Sequence, residues 1–283
     1  MIYHTLSLSC YLCYWLPYML VPSSWFAEWF DHPLYLSLYS HRSDKEAVQV
    51  VELLLRSISL PRGARILDLC CGSGRHTKAL YDAGFDVVGL DLSKNLLNLA
   101  RQELAGLPVR LYQGDMRSPY PEGSYDCIAN FFTSFGYFDN PSDDTTVIRR
   151  ICEALNPSGY FFLDFFNAKY VRSHLVPADI LVFDDFTITQ KRSIEQGFVV
   201  KHITVQYHTC SNTYSVLGKT SDTNLPHSSS QTFVERVRLY EPEDLQHLLT
   251  AHGFTIHTIF GDYTGNPLSP DAPRCIVVAQ LQH

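Results

Sequence analysis

An acidic residue, two glycines and a basic residue stand close together in Asp68-Leu-Cys-Cys-Gly-Ser-Gly-Arg75, after an apolar run and before a helical pattern. Glycine at 72 and 74 lets the backbone turn sharply and lie against a ligand with no Cβ in between. A helix that opens behind such a turn favours negative charge at its N-terminus. Twenty-three residues after Asp68, at the end of the next apolar run, stands Asp91. A carboxylate in that place accepts hydrogen bonds from ribose hydroxyls. Together the two features point to a nucleotide. Gly72-Ser-Gly74-Arg-His-Thr77 has no third glycine, which speaks against close helix–strand packing over the pyrophosphate of a dinucleotide.

Residues of this kind need a sheet to hold them, and the flanking pattern supplies one. Short apolar runs predict strands at Arg65–Cys70, Phe85–Asp91, Val109–Gly114, Tyr125–Phe131 and Tyr160–Phe166. Between them fall helices at Arg75–Ala83, from the Ser93 cap through Leu104, and at Asp143–Leu155. An earlier helix begins at Ser43, with Glu46 three residues on as a capping box, and ends at Pro61 and Gly63. The alternation predicts an α/β fold, a Rossmann-like doubly wound and mostly parallel sheet. After Asn167 the rhythm changes. Leu181–Phe186, Thr187–Arg192, Phe198–Tyr207 and Thr232–Tyr240 read as antiparallel strands with half-exposed faces. The Ser/Thr/Asn-rich stretch 208–231 between the last two reads as a mobile loop. A helix at Pro242–His252 and strands at Thr255–Phe260 and Cys275–Leu281 then complete the sheet.

The expected organisation is a non-core extension over 1–18, a helical cover over 19–63 and a cofactor-binding core over 64–167. A β-rich insertion on the substrate side covers 168–240, and 241–283 completes the core sheet. Residues 5–21 carry no charge, yet they lack the basic start and small-residue cleavage site of a signal peptide. The run is short for a membrane span and contains Pro17. Two readings stay open: a start of translation at Met19, or a membrane contact through the first 21 residues.

ILDLCCGSGRHT resembles the first motif of the class I S-adenosylmethionine-dependent methyltransferases of small-molecule type, and VVGLDLS resembles the second. YQGDMR is similar to the third, YDCIANFFTSFGYF to the fourth, and LNPSGYFFLDFFN to the segment at strand five. The motifs run in order from Ala64 to Asn167. The resemblance implies S-adenosylmethionine as cofactor and an antiparallel last strand. It implies that Asp68 and the backbone of Cys70 and Gly72 hold the methionine end, with Gly74 also at the cofactor, Asp91 on the ribose hydroxyls and Leu92 along the adenine. Asp115 would accept from the adenine amino group, Met116 would pack on the ring, and Asn130 and Phe131 would place backbone atoms beside the sulfonium. Cys70 stands where the family usually has glycine. Tyr35, Tyr39 and Arg42 fall where related enzymes fold a helix over the cofactor, and Arg42 is either a partner of the cofactor carboxylate or a solvated flanking charge.

For the acceptor side, Tyr137 after strand four and Asn167 after strand five are the candidates, since parallel sheets bind ligands beyond strand C-termini. Phe135 and Arg236 read as packing and a surface bond. The expected reaction is in-line transfer of a methyl group to a small molecule. A nicotinamide-dependent oxidoreductase, an aminopropyl transferase and a non-catalytic binding module are the competing readings. A net charge of −7 with no Lys/Arg cluster argues against nucleic acid as the partner. Of eight cysteines only Cys10 and Cys13 have CxxC spacing, and the twelve histidines are dispersed, so no metal site is expected. Reduced thiols in apolar runs predict a cytoplasmic protein. The pattern leaves the acceptor, its methylated atom and the oligomeric state open.

Overall fold

The computed structural model describes residues 24–39, 43–208, 213–216, 219–222 and 230–282. Two short helices open it, α1 (Trp25–Trp29) and α2 (Leu34–Leu38). Helix α3 (Asp44–Ser57) follows, with the Ser43 hydroxyl accepting from Glu46 N–H at 3.2 Å. Its apolar stripe Val50, Val51, Leu53 and Leu54 is buried. The core then alternates β1 (Arg65–Leu69), α4 (Arg75–Asp82), β2 (Asp86–Asp91), α5 (Lys94–Glu103), β3 (Arg110–Gln113) and β4 (Tyr125–Asn130). Helix α6 (Pro141–Ala154) leads into β5 (Leu155–Phe166).

The rest of the main sheet comes from the chain's end, α8 (Pro242–Thr250), β12 (Phe254–Phe260) and β13 (Arg274–Leu281). The strand order is β12-β13-β5-β4-β1-β2-β3. Strands β1 to β5 pair in parallel, and β13 runs antiparallel to both β5 and β12. The order of strand addition reverses between β1 and β4, which is where open α/β sheets form a ligand crevice. Ile66, Val88, Ile128 and Phe161 have no or almost no exposure, because a strand covered on both faces must be apolar at every position.

Between β5 and α8 lies a second sheet. Helix α7 (Ala168–His174), which the pattern did not suggest, is capped by Asn167 through Oδ1, which accepts from Lys169 N–H at 3.1 Å. Strands β6 (Ala178–Val182), β7 (Phe186–Glu195), β8 (Phe198–Tyr207) and β11 (Ser230–Arg238) pair antiparallel in the order β11-β8-β7-β6. The first strand expected here runs across a turn. Phe183 N–H donates to Phe186 O at 2.9 Å, so Asp184 and Asp185 sit at a hairpin tip and the strand ends at Val182. The stretch expected as loop contains a hairpin of β9 (Thr213–Val216) and β10 (Lys219–Asp222). Strands of threonine and serine pair through their backbones and leave no hydropathy signal. Among the described residues no helix is long and apolar enough to cross a membrane. Residues 1–18, Met19 and Arg42 lie outside the described residues.

Candidate active site

At the end of β1 the chain turns through Cys70, whose φ of 66° lies in the left-handed region. A glycine there would carry no strain, which is the physical content of the family's usual residue. Cys70 and Cys71 N–H both donate to Leu90 O, at 2.7 and 3.0 Å. Gly72, with φ 54°, donates its N–H to Asp91 Oδ2 at 2.8 Å, so the loop is tied to the end of β2. The other carboxylate oxygen of Asp91 accepts from Ser93 N–H at 2.8 Å, at the cap of α5. Gly74 occupies the left-handed N-cap of α4, where a Cβ would stand 3.0 Å from a Leu104 methyl. Its part is close packing of α4 on α5, away from the cavity walls.

Asp68 lies beneath this loop, fully buried, with Oδ2 accepting from the Thr77 hydroxyl at 2.6 Å and Oδ1 without a partner. Burial drives its carboxyl up to about 7, against the hydrogen bond from Thr77, and the nearby Asp91 adds to the rise. Burial likewise raises Asp91 to about 6, although the N–H groups of Ser93, Gly72 and Leu92 favour its charged form. Asp115 is pushed up by burial but ends below its ordinary value, since Arg117 donates to it from Nε at 3.0 Å and Nη2 at 2.6 Å. Arg117 in turn stacks 4.5 Å from the centre of the Phe138 ring.

Two cavities meet on this loop. A narrow one of about 80 Å³ is walled by Asp91, Leu92, Asp115, Met116 and the rings of Phe26 and Phe30. A broad one of about 710 Å³ runs from Gly72 and Ser73 past Phe131 to the pocket-facing side of the second sheet. Phe30, Tyr35, Cys70, Gly72, Leu96, Ser134 and Tyr137 line both, so the two are arms of one space. Phe131 is buried under the His76 ring, 4.5 Å away and nearly parallel. Asn130 donates to Leu69 O at 3.1 Å and Ser134 O at 3.0 Å and so joins the end of β4 to the end of β1 and to the turn that follows β4. Tyr137 sits at the junction, and its hydroxyl donates to Thr133 O at 2.8 Å. Burial holds its phenol far above the usual range, so it stays protonated. Asn167 is placed elsewhere. Its amide donates to Ser269 O and Ala272 O at 2.9 and 2.8 Å, its oxygen caps α7, and it lines neither arm. A role on the acceptor does not fit that placement, because every polar atom of the side chain is spent on backbone.

Residues 66–159 match the family model for a methyltransferase domain. That stretch of the chain is a methyltransferase domain. The methyltransferase candidate YqeM of Bacillus subtilis (strain 168) is 28% identical over 226 residues, spanning 78% of this chain and 86% of that protein. A dTDP-3-amino-3,6-dideoxy-alpha-D-glucopyranose N,N-dimethyltransferase of Streptomyces fradiae is 25% identical over 236 residues, or 81% and 84% of the two chains. Among solved structures, an S-adenosylmethionine-dependent methyltransferase from Clostridium acetobutylicum ATCC 824 superposes with a TM-score of 0.70 at 18% identity, covering 90% and 98%. The chain thus shares the fold of that solved structure over nearly its whole length.

Several residues of the broad arm escaped the sequence reading. Glu235 of β11 is buried and accepts from Trp29 Nε1 at 2.7 Å and from the Tyr39 hydroxyl at 2.7 and 2.9 Å. Lys201 of β8 pairs with it at 2.5 Å. Further along the wall, Arg192 pairs with Asp179 at 2.9 Å, and Gln190 Nε2 donates to Asp179 Oδ1 at 2.7 Å. Each is a polar residue at an inward strand position, which the sequence displays only as imperfect alternation. Phe26 and Phe30, from the aromatic stretch around α1, are both core and wall. Among the described residues no group of side chains is arranged to hold a metal ion.

Proposed function

We propose that the methyltransferase moves a methyl group from S-adenosylmethionine to a small polar acceptor seated in the broad arm. The observation that carries this reading is the single space with two unlike arms meeting at Cys70, Gly72, Ser134 and Tyr137. S-adenosylmethionine supplies a methyl group already activated on a sulfonium. The narrow arm fits its nucleoside: Asp91 offers a carboxylate for ribose hydroxyls, and Leu92 and Met116 offer apolar faces for a ring. Asp115 would accept from the adenine amino group with its charge held by Arg117. The left-handed loop at Cys70 and Gly72, the α4 N-terminus behind it and the unpartnered Asp68 Oδ1 suit the methionine end. Asn130 holds the wall beside the junction, and Phe131 closes it against His76.

The protein's own contribution is to exclude water and align acceptor and donor for in-line displacement. Tyr137 keeps its proton, so it orients an acceptor through its oxygen lone pairs and is not a base. The wall of Asp179, Gln190, Arg192, Lys201 and Glu235 favours an acceptor rich in hydrogen-bonding groups. The relatives named for dTDP-amino sugars support the same class. The test is calorimetry with S-adenosylhomocysteine, expected to bind in the micromolar range, about −8 kcal/mol. It is followed by mass spectrometry of acceptor panels built on amino sugars, their nucleotide conjugates and small amino acids. Tight binding of a nicotinamide dinucleotide, with none of the homocysteine product, would overturn the reading.

A further inference from the structure

Two consecutive residues after β4, Phe132 and Thr133, both hold φ at 60°. Non-glycine residues leave the left-handed region unless their surroundings hold them there. One residue holds both. Asp164, on β5, accepts from Phe132 N–H through Oδ2 at 2.9 Å, and its main-chain carbonyl accepts from Thr133 N–H at 2.7 Å. Its side chain is wholly buried and is gripped by Tyr263 and by Arg274, which itself lines the broad arm. Arg274 of β13 donates to Oδ1 from Nε at 2.8 Å and Nη2 at 2.5 Å, and the Tyr263 hydroxyl donates to Oδ2 at 2.9 Å. The same guanidinium lies 5.1 Å from the Phe132 ring centre.

The turn so held is the wall between the two arms. Phe132, Thr133 and Ser134 line the broad arm, and Ser134 lines the narrow one as well. Ser134 O lies 3.8 Å from Cys70 Sγ, and Thr133 O takes the Tyr137 hydroxyl. Asp164 itself lines neither arm. An apolar pair in place of Asp164 and Arg274 would stabilise the strands at least as well, since buried ion pairs gain little over good packing. An apolar pair cannot bind an N–H group, so it could not keep Phe132 in its strained conformation.

We infer that Asp164 is a positioning residue for the methyl-transfer junction, with Arg274 and Tyr263 fixing its carboxylate. It acts by holding the turn 132–134 against the cofactor. The inference rests on the cofactor reading above. Its test combines S-adenosylhomocysteine calorimetry with amide hydrogen exchange on the unaltered protein, Asp164→Asn and Tyr263→Phe. For Asp164→Asn, affinity should fall about tenfold as a charged hydrogen-bond set is lost. The amides of 132–134 should exchange at least about tenfold faster while β1 and β2 stay protected. Tyr263→Phe leaves every charge in place and should move both readouts the same way, by roughly twofold to fivefold. Should Asp164→Asn fail to fold because Arg274 is left unpaired, Asp164→Asn/Arg274→Gln and Tyr263→Phe carry the test. Folded variants that bind as tightly as the unaltered protein, or whose turn stays protected, would overturn the inference. So would an affinity loss accompanied by equally faster exchange across β1 and β2. An unaltered protein that binds no S-adenosylhomocysteine would instead sink the cofactor reading, and exchange at the turn would then decide the role of Asp164.

Discussion

Asp68 and Asp91 are two carboxylates raised by burial to about 7 and about 6, from an ordinary 3.8. Burial makes each easier to protonate in the fold than in the unfolded chain. The stability they contribute is therefore full below pH 3.8 and is lost as pH rises through about 6 and then about 7. Ligand affinity runs the opposite way, because hydroxyls donating to Asp91 favour its ionised form. S-adenosylhomocysteine should bind about tenfold more weakly at pH 5 than at pH 8, and Asp91→Asn should flatten that profile while weakening binding throughout. Calorimetry across the range checks both slopes, and a profile that Asp91→Asn leaves unchanged would remove Asp91 from the site. These residues are legible because the loop that needs glycine and the strand end that needs a carboxylate lie within one βαβ unit. Asn167 shows the limit of that reasoning. Its place after a parallel strand matched a ligand position, but its side chain caps a helix of only seven residues, which leaves too little periodicity to detect.

At the scale of elements, the two covers over the cavity are joined by one buried cluster. Glu235 on β11 receives Trp29 of α1, Tyr39 just after α2 and Lys201 of β8. Breaking such a cluster from one side leaves a buried charge alone, whereas removing both charges does not. Glu235→Leu should cost about 3–5 kcal/mol in urea unfolding, and Glu235→Leu/Lys201→Met should recover most of that loss. Equal losses in the single and double variants would show that Lys201 left without its partner carries no penalty, against the argument from a lone buried charge. The parallel strands and their helices were legible because continuous apolar runs and a 3.6-residue stripe each have one reading. The cover was legible only as a class of structure. Its outer strand β6 is exposed at Ile180 and Val182, and its inner positions carry Lys201 and Glu235, so neither face keeps a clean period of two.

Across the whole molecule, the pocket is enclosed by pieces far apart along the chain. Trp29 and Glu235 are 206 residues apart, and Asp164 meets Arg274 across 110. Residues 66–159, by contrast, form a run of local βα units. Contacts between distant residues pay for loop closure before they return any stabilisation, so the order of assembly follows from this layout. The parallel core can gather first, and the joining of Trp29 and Tyr39 to Glu235 comes last. S-adenosylhomocysteine would then find its site only after the rate-limiting barrier has been crossed. It should slow unfolding roughly in proportion to 1 + [L]/Kd while leaving the refolding rate unchanged. Stopped-flow unfolding and refolding in urea, with and without ligand, would separate the two limbs; a ligand that sped refolding would mean that the cover closes early. For this fold, occupancy would act as a brake on opening, and lifetime under proteolysis would track cofactor supply more closely than it tracks the folding of the core.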